Sequence, residues 1–276
     1  MRLDDDGDRS NVEDRRGLSG GAGVKLGLGG TLVLLVLSLV FKQDMFALLG
    51  TSPGSTGGGA VSQEEAQQRT AAEQALEKTA VATFNDAQRR FASMVRGYRP
   101  AKLVLFWDQV DSGCGAAEAA MGPFYCPADE KVYIDLGFYR ELASRFGAPG
   151  QFAQAYVIAH EVGHHVQNVL GTSEKVHDAQ ARDPGQRNPL SVRLELQADC
   201  YAGAWGQTAQ QRNLLDPGEV EQGLRAAAAV GDDRIQKAAT GRVNPEAFTH
   251  GSAEQRMRWF RTGLDAGDLA ACDTFR

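Results

Sequence analysis

The sequence predicts an α+β fold, mainly helical, with a small β-sheet and one transmembrane helix ahead of it. Three observations carry this. A charge-free apolar run, residues 26–41, stands alone near the N-terminus. Helical patterning dominates the chain after residue 61 and is broken by two strand-like runs. Two pairs of metal-ligating residue types, each spaced i,i+4, fall in two consecutive long helices.

Residues 1–25 contain five basic and six acidic side chains and no apolar run, which predicts a disordered, cytoplasmic tail. Residues 26–42 form the signal anchor. Its sixteen uncharged residues span about 24 Å as a helix, short of the ~30 Å hydrocarbon core. Lys25 and Lys42 can snorkel outward and recover the difference. Five basic residues precede the run and one follows it closely, so the positive-inside rule leaves the N-terminus in the cytoplasm and the body outside. Residues 43–61, rich in Gly and Ser, read as a flexible linker, and residues 62–276 as one folded domain.

Within that domain, residues 62–95 predict a helix. AKLVLFW (101–107) and KVYIDL (131–136) predict strands, the second an edge strand beside the metal-bearing helix, onto which an extended peptide could pair. Residues 151–170 predict a helix closed by Gly171, residues 171–188 a polar loop, and residues 189–213 a second long helix opened by Pro189. Asp216-Pro217 starts an Ala-rich helix, and Ser252 with Gln255 forms a capping box for the last one. The four cysteines, Cys114, Cys126, Cys200 and Cys272, all follow the apolar run. In an extracytoplasmic body they suggest two disulfides, with three connectivities open and Cys114–Cys126 the local choice.

The chemistry concentrates in AYVIAHEVGHHVQ. His160 and His164 share one helix face and can bind one zinc ion, while Glu161 can take a proton from a metal-held water. Three of the chain's five histidines fall within residues 160–165. A catalytic zinc needs a third protein ligand, for which Glu195 in LELQADC is the candidate. Asp199, one turn on, can accept from the outer nitrogen of a ligand histidine. His165 points about 100° away from the ligand face, which suggests a structural hydrogen bond. His177 is expected to be exposed in the polar loop. His250, just ahead of the last helix, is a candidate stabiliser of a tetrahedral oxyanion. The net charge of −6 offers no phosphate-neutralising surface, so nucleic acid is not an expected partner.

Together with NVEDRRG (11–17), MGPFYCPAD, GDDRIQ (231–236) and FTHGSAEQR, these segments give the whole chain a resemblance to the bacterial neutral zinc metallopeptidases. That resemblance implies a single-pass membrane protein with a zincin-like, gluzincin-type domain. Its ligands would be His160, His164 and Glu195, its base Glu161, its cofactor Zn2+ and its substrate a peptide or protein. The alternative from another class is a zinc-stabilised protein that holds peptides or a partner without cutting them.

Overall fold

The computed structural model describes residues 1–3, 7–16 and 71–276. Among them the fold is mainly helical with a small sheet, as expected. The anchor at 26–42 and the linker at 43–61 lie outside the described residues. No helix among those described is long and apolar enough to cross a membrane.

The strands are β1 (Val12–Asp14), β2 (Lys102–Phe106), β3 (Gln109–Ser112), β4 (Gly115–Glu118), β5 (Phe124–Cys126) and β6 (Lys131–Asp135). The main sheet has the order β1-β2-β6-β5, with β1, β2 and β6 parallel and β5 antiparallel. β3 and β4 form a separate hairpin. Both faces of the sheet centre are buried, which explains why KLVLF reads as a continuous apolar run. Leu103, Leu105, Val132 and Ile134 join the main core, while Val104, Phe106 and Tyr133 meet Val110 and Ala117 of the hairpin. Alternation at period two sorts them to the two faces.

β6 is therefore an interior strand, and the expectation that it forms the edge is corrected. The chain between Cys114 and Cys126, closed by a disulfide, returns as β5 and covers that side. Residues 7–16 are likewise no disordered tail. β1 adds to β2 in register Val12↔Leu103, and its flanking charges are paired into the body. Arg9 and Arg16 both bind Glu77, Lys131 binds Glu13, and Asn85 donates to the Asp8 carbonyl. A charge-rich segment looks disordered when its partners lie 60 to 120 residues away.

The helices are α1 (Ala71–Met94), α2 (Gly137–Ser144), α3 (Gln151–Val169), α4 (Thr172–Arg182), α5 (Arg187–Gln211), α6 (Glu219–Ala229), α7 (Asp232–Thr240) and α8 (Ala253–Ala266). The expected capping box at Ser252 and Gln255 is present, and Gly171 ends α3 at φ +72°. Pro189 lies in the first turn of α5, where missing N–H groups cost nothing. The predicted loop 171–188 holds α4 instead. Its polar sequence is helix-compatible, and Ser173 and Val176 dock it against the body. His177 is exposed on α4. The disulfides are Cys114–Cys126 and Cys200–Cys272.

α3 lies at the centre, packed against α1, α5 and α6. α1 is tied to α5 by Asp86, a buried carboxylate that accepts from Trp205 Nε1 at 2.9 Å and from Arg212 at 2.7 and 2.8 Å. Burial raises its pKa, but the Arg212 and Trp205 hydrogen bonds outweigh that and hold it below the usual value. Its stabilisation is therefore complete above the unfolded pKa of about 3.9 and is lost as pH falls towards the lower folded value. Asp86→Asn should cost about 2 kcal/mol at pH 7. Urea unfolding should show the gap to the parent narrowing as the pH is taken below about 4.

Candidate metal centre

The i,i+4 spacing on α3 carries His160 and His164 to one face, and the same spacing on α5 carries Glu195 and Asp199 towards them. His160 pairs with Asp199, and His164 with Glu195, so the two helices run antiparallel. Gly163 lies between the histidines at the helix contact. A Cβ there would stand 3.2 Å from the Ala198 carbonyl oxygen, so α5 would have to give way by a few tenths of an ångström.

The three candidate ligands converge. His160 Nε2 lies 3.1 Å from His164 Nε2 and 3.2 Å from Glu195 Oε2, and His164 Nε2 lies 3.4 Å from Glu195 Oε1. Ligands at the usual bond lengths around tetrahedral zinc stand about 3.3 Å apart, so the residues fit the ion. The outer nitrogens agree. His160 Nδ1 donates to Asp199 Oδ1 at 2.9 Å, and His164 Nδ1 to Gln167 Oε1 at 2.9 Å. Both Nδ1 atoms thus carry hydrogen, and both Nε2 atoms face the carboxylate, an arrangement that suits a cation between them. The side chains of His164 and Glu195 keep 17% and 18% of their surface exposed, so the cluster is open to solvent on one side.

Asp199 is held by more than His160. Tyr156 Oη donates to its Oδ1 at 2.5 Å, and Arg256 of α8 donates through Nε and Nη2 at 2.8 and 2.9 Å. Burial pushes the Asp199 carboxyl up, and the Arg256 charge more than reverses it. Burial lowers His160, yet its Asp199 contact lifts it to about 10. Glu161 is buried beside the cluster. Burial raises its pKa, and His160 and His164 offset part of the rise.

The structure brings His250 to the same region, although it touches none of the three ligands. Gly251, at φ +93°, packs on Val192 and Leu196 either side of Glu195. Asp232 of α7 orients the histidine. Its Oδ2 accepts the backbone N–H groups of Thr249, His250 and Gly251 at 2.7, 2.7 and 3.0 Å, and its Oδ1 pairs with His250 Nδ1 at 3.2 Å. That pairing raises the His250 pKa, and about half of its side chain is exposed. His165 is structural: Tyr125 Oη donates to its Nδ1 at 2.9 Å, and its Nε2 donates to the Arg99 carbonyl at 2.6 Å. Sequence reasoning missed Arg256, Asp232 and the polar role of Tyr156. Tyr156 precedes His160 by one helical turn, which was a usable signal; Asp232 and Arg256 stand in GDDRIQ and FTHGSAEQR, segments that carry the resemblance without giving either residue a role.

Two helices present two histidines and one glutamate to a single point, backed by an Asp–Arg pair, a cluster of the two-His, one-Glu class that could hold a metal ion. The chain belongs to the family described as "putative neutral zinc metallopeptidase", whose model matches residues 1–275. It is 45% identical to "Uncharacterized protein YpfJ" of Escherichia coli K12, with 100% of this chain and 99% of that one covered. It is also 45% identical to "Uncharacterized protein Mb2605" of Mycobacterium bovis and "Uncharacterized protein Rv2575" of Mycobacterium tuberculosis, covering 71% of this chain and 69% of each of those. No solved structure matches the chain.

Glu195→Ala should weaken zinc binding by at least about 100-fold, more than loss of an outer partner does. Chelator competition would measure this, and unchanged affinity would remove Glu195 from the ligand set.

Proposed function

We propose that this protein is a zinc metallopeptidase of zincin-like, gluzincin type that hydrolyses peptide bonds outside the cytoplasm. The observation that carries the reading is the convergence of His160, His164 and Glu195 on one solvent-open point with the buried Glu161 beside it. Zinc bound by these three residues supplies Lewis acidity towards a carbonyl and a water of lowered pKa. Glu161 moves the proton: its carboxylate takes it from the attacking water and passes it to the leaving amine. A carboxyl raised by burial is suited to both halves of that task. Asp199, Tyr156 and Arg256 keep the His160 ring in one tautomer and orientation. His250, oriented by Asp232, donates to the oxyanion that forms on the carbonyl.

The substrate is an extended peptide that pairs with the outer edge of β5. Tyr125 of this strand binds His165, the residue after a candidate ligand, so the edge is anchored to the metal-bearing helix. Two disulfides support an oxidising compartment for the body. Attachment to the membrane through residues 26–42 is proposed from the sequence. The pairing of β1 with β2 favours an amended orientation, in which residues 7–16 share the compartment of the body. A strand cannot join a sheet across a bilayer, so this version does not leave the N-terminus in the cytoplasm.

Glu161→Gln should keep zinc affinity within a few-fold and lower peptide cleavage by about 100-fold or more, as expected for loss of a general base. Mass spectrometry of a diverse peptide mixture would read the products, and retained cleavage would remove Glu161 from the role. With all four cysteines in disulfides, a cysteine introduced at Ser10 or Lys237 is the only free thiol. In spheroplasts, an impermeant maleimide should label both variants. Labelling of Lys237→Cys alone would return the N-terminus to the cytoplasm.

A further inference from the structure

His160 has an ionised carboxylate behind it, whereas His164 has the neutral amide of Gln167, and that amide does not end at the histidine. Gln167 Nε2 donates to the Leu194 carbonyl at 2.7 Å and to Gln197 Oε1 at 3.1 Å. Gln197 Nε2 in turn donates to the Cys272 carbonyl at 3.0 Å. Cys272 is bonded to Cys200 of α5. Gln167 and Cys272 are fully buried, and Gln197 is 6% exposed.

We propose that Gln167 is the positioning residue of His164, and that it forms with Gln197 an amide relay from the Cys200–Cys272 disulfide to this metal ligand. The inference rests on the zinc reading above.

The polarity of the relay follows from what each group can do. A main-chain carbonyl only accepts, so Cys272 makes Gln197 present its NH2 group there and its oxygen to Gln167. Gln167 then faces two acceptors, Leu194 O and Gln197 Oε1, and must turn its own NH2 group towards them. Its oxygen is left for His164 Nδ1, which fixes the hydrogen on Nδ1 and the lone pair on Nε2, the atom aimed at the metal. Reversing any amide would set oxygen against oxygen in a buried site. The same Gln167 side chain also ties α3 to the residue before Glu195, so one group orients the second ligand and registers the third.

The test uses the full chain, with zinc dissociation constants from chelator competition and visible absorption spectra of the Co2+-substituted protein. Gln167→Leu should weaken zinc by about 10–100-fold, as loss of an outer partner does, and alter the Co2+ bands. Gln197→Leu should weaken it less, and that effect should largely disappear in a Cys200→Ala/Cys272→Ala background, where the relay has already lost its fixed end. Unchanged zinc affinity and Co2+ bands in Gln167→Leu, even with a lower Tm, would make the residue merely structural and overturn the proposal. If Gln167→Leu does not fold, Gln197→Leu decides, and an affinity equal to the parent's overturns the relay. A parent that binds no zinc overturns the metal reading itself, an outcome distinct from a variant that matches a zinc-binding parent.

Discussion

Asp199 has no exposed surface, and a buried carboxylate costs several kcal/mol unless it is paired and hydrogen-bonded. Its four donors come from three side chains on two helices: Tyr156 and His160 of α3, and Arg256 of α8. Asp199 itself belongs to α5. One ionised group thus requires α3, α5 and α8 to meet, and the ligand geometry of His160 follows from that meeting. Arg256 is equally dependent, since its own charge is buried and its remaining donor reaches the Val230 carbonyl at the end of α6. Removing either member would strand the other.

The meeting is possible only because the helices lack side chains where they cross. A Cβ on Gly203 would fall 2.0 Å from the Phe260 carbonyl oxygen, and one on Gly263 would fall 1.9 Å from that of Cys200. The backbones of α5 and α8 touch at these positions, and the Cys200–Cys272 disulfide closes the same crossing. Gly163 eases the approach of α3 to α5 in a milder way, a Cβ there standing 3.2 Å from the Ala198 carbonyl oxygen. Close backbone approach shortens the reach from Arg256 to Asp199 and from Asp199 to His160, so the polar network needs no bridging water to close.

How much of this was legible in the sequence depended on how far each signal travels along the chain. His160, His164, Glu195 and Asp199 were readable because each pair lies within one helical turn, where a periodicity rule operates. The capping box at Ser252 was local in the same way. β5 was missed because three residues inside a disulfide loop carry no strand pattern of their own. Its omission made β6 look like an edge. β1 was missed because its charges find partners in α1 and β6, far away in sequence. Arg256 belongs to this second kind, and so do the distant acceptors of Gln167, although its contact with His164 spans a single turn. Nothing around them distinguishes a buried arginine from an exposed one, or an orienting glutamine from a helix-favouring one, until the fold brings their acceptors near.

The charges around the cluster show why the arginine matters to a metal site. Glu161, Glu195 and Asp199 bring three negative charges, and Arg256 removes one of them. Two remain, the number a divalent cation neutralises, in a region where uncompensated charge is expensive. The carboxylates favour positive charge at the imidazoles: the Asp199 and Glu195 contacts raise His160 and His164 above their usual values despite burial. A cation held between them would answer the same requirement, and any proton on either Nε2 would have to leave as it bound. Without Arg256 the site would hold an excess of negative charge even with the ion in place. That excess would bind a cation more strongly but blunt its pull on a carbonyl, so the Asp199–Arg256 pair can orient His160 without drawing on the charge of a metal held there.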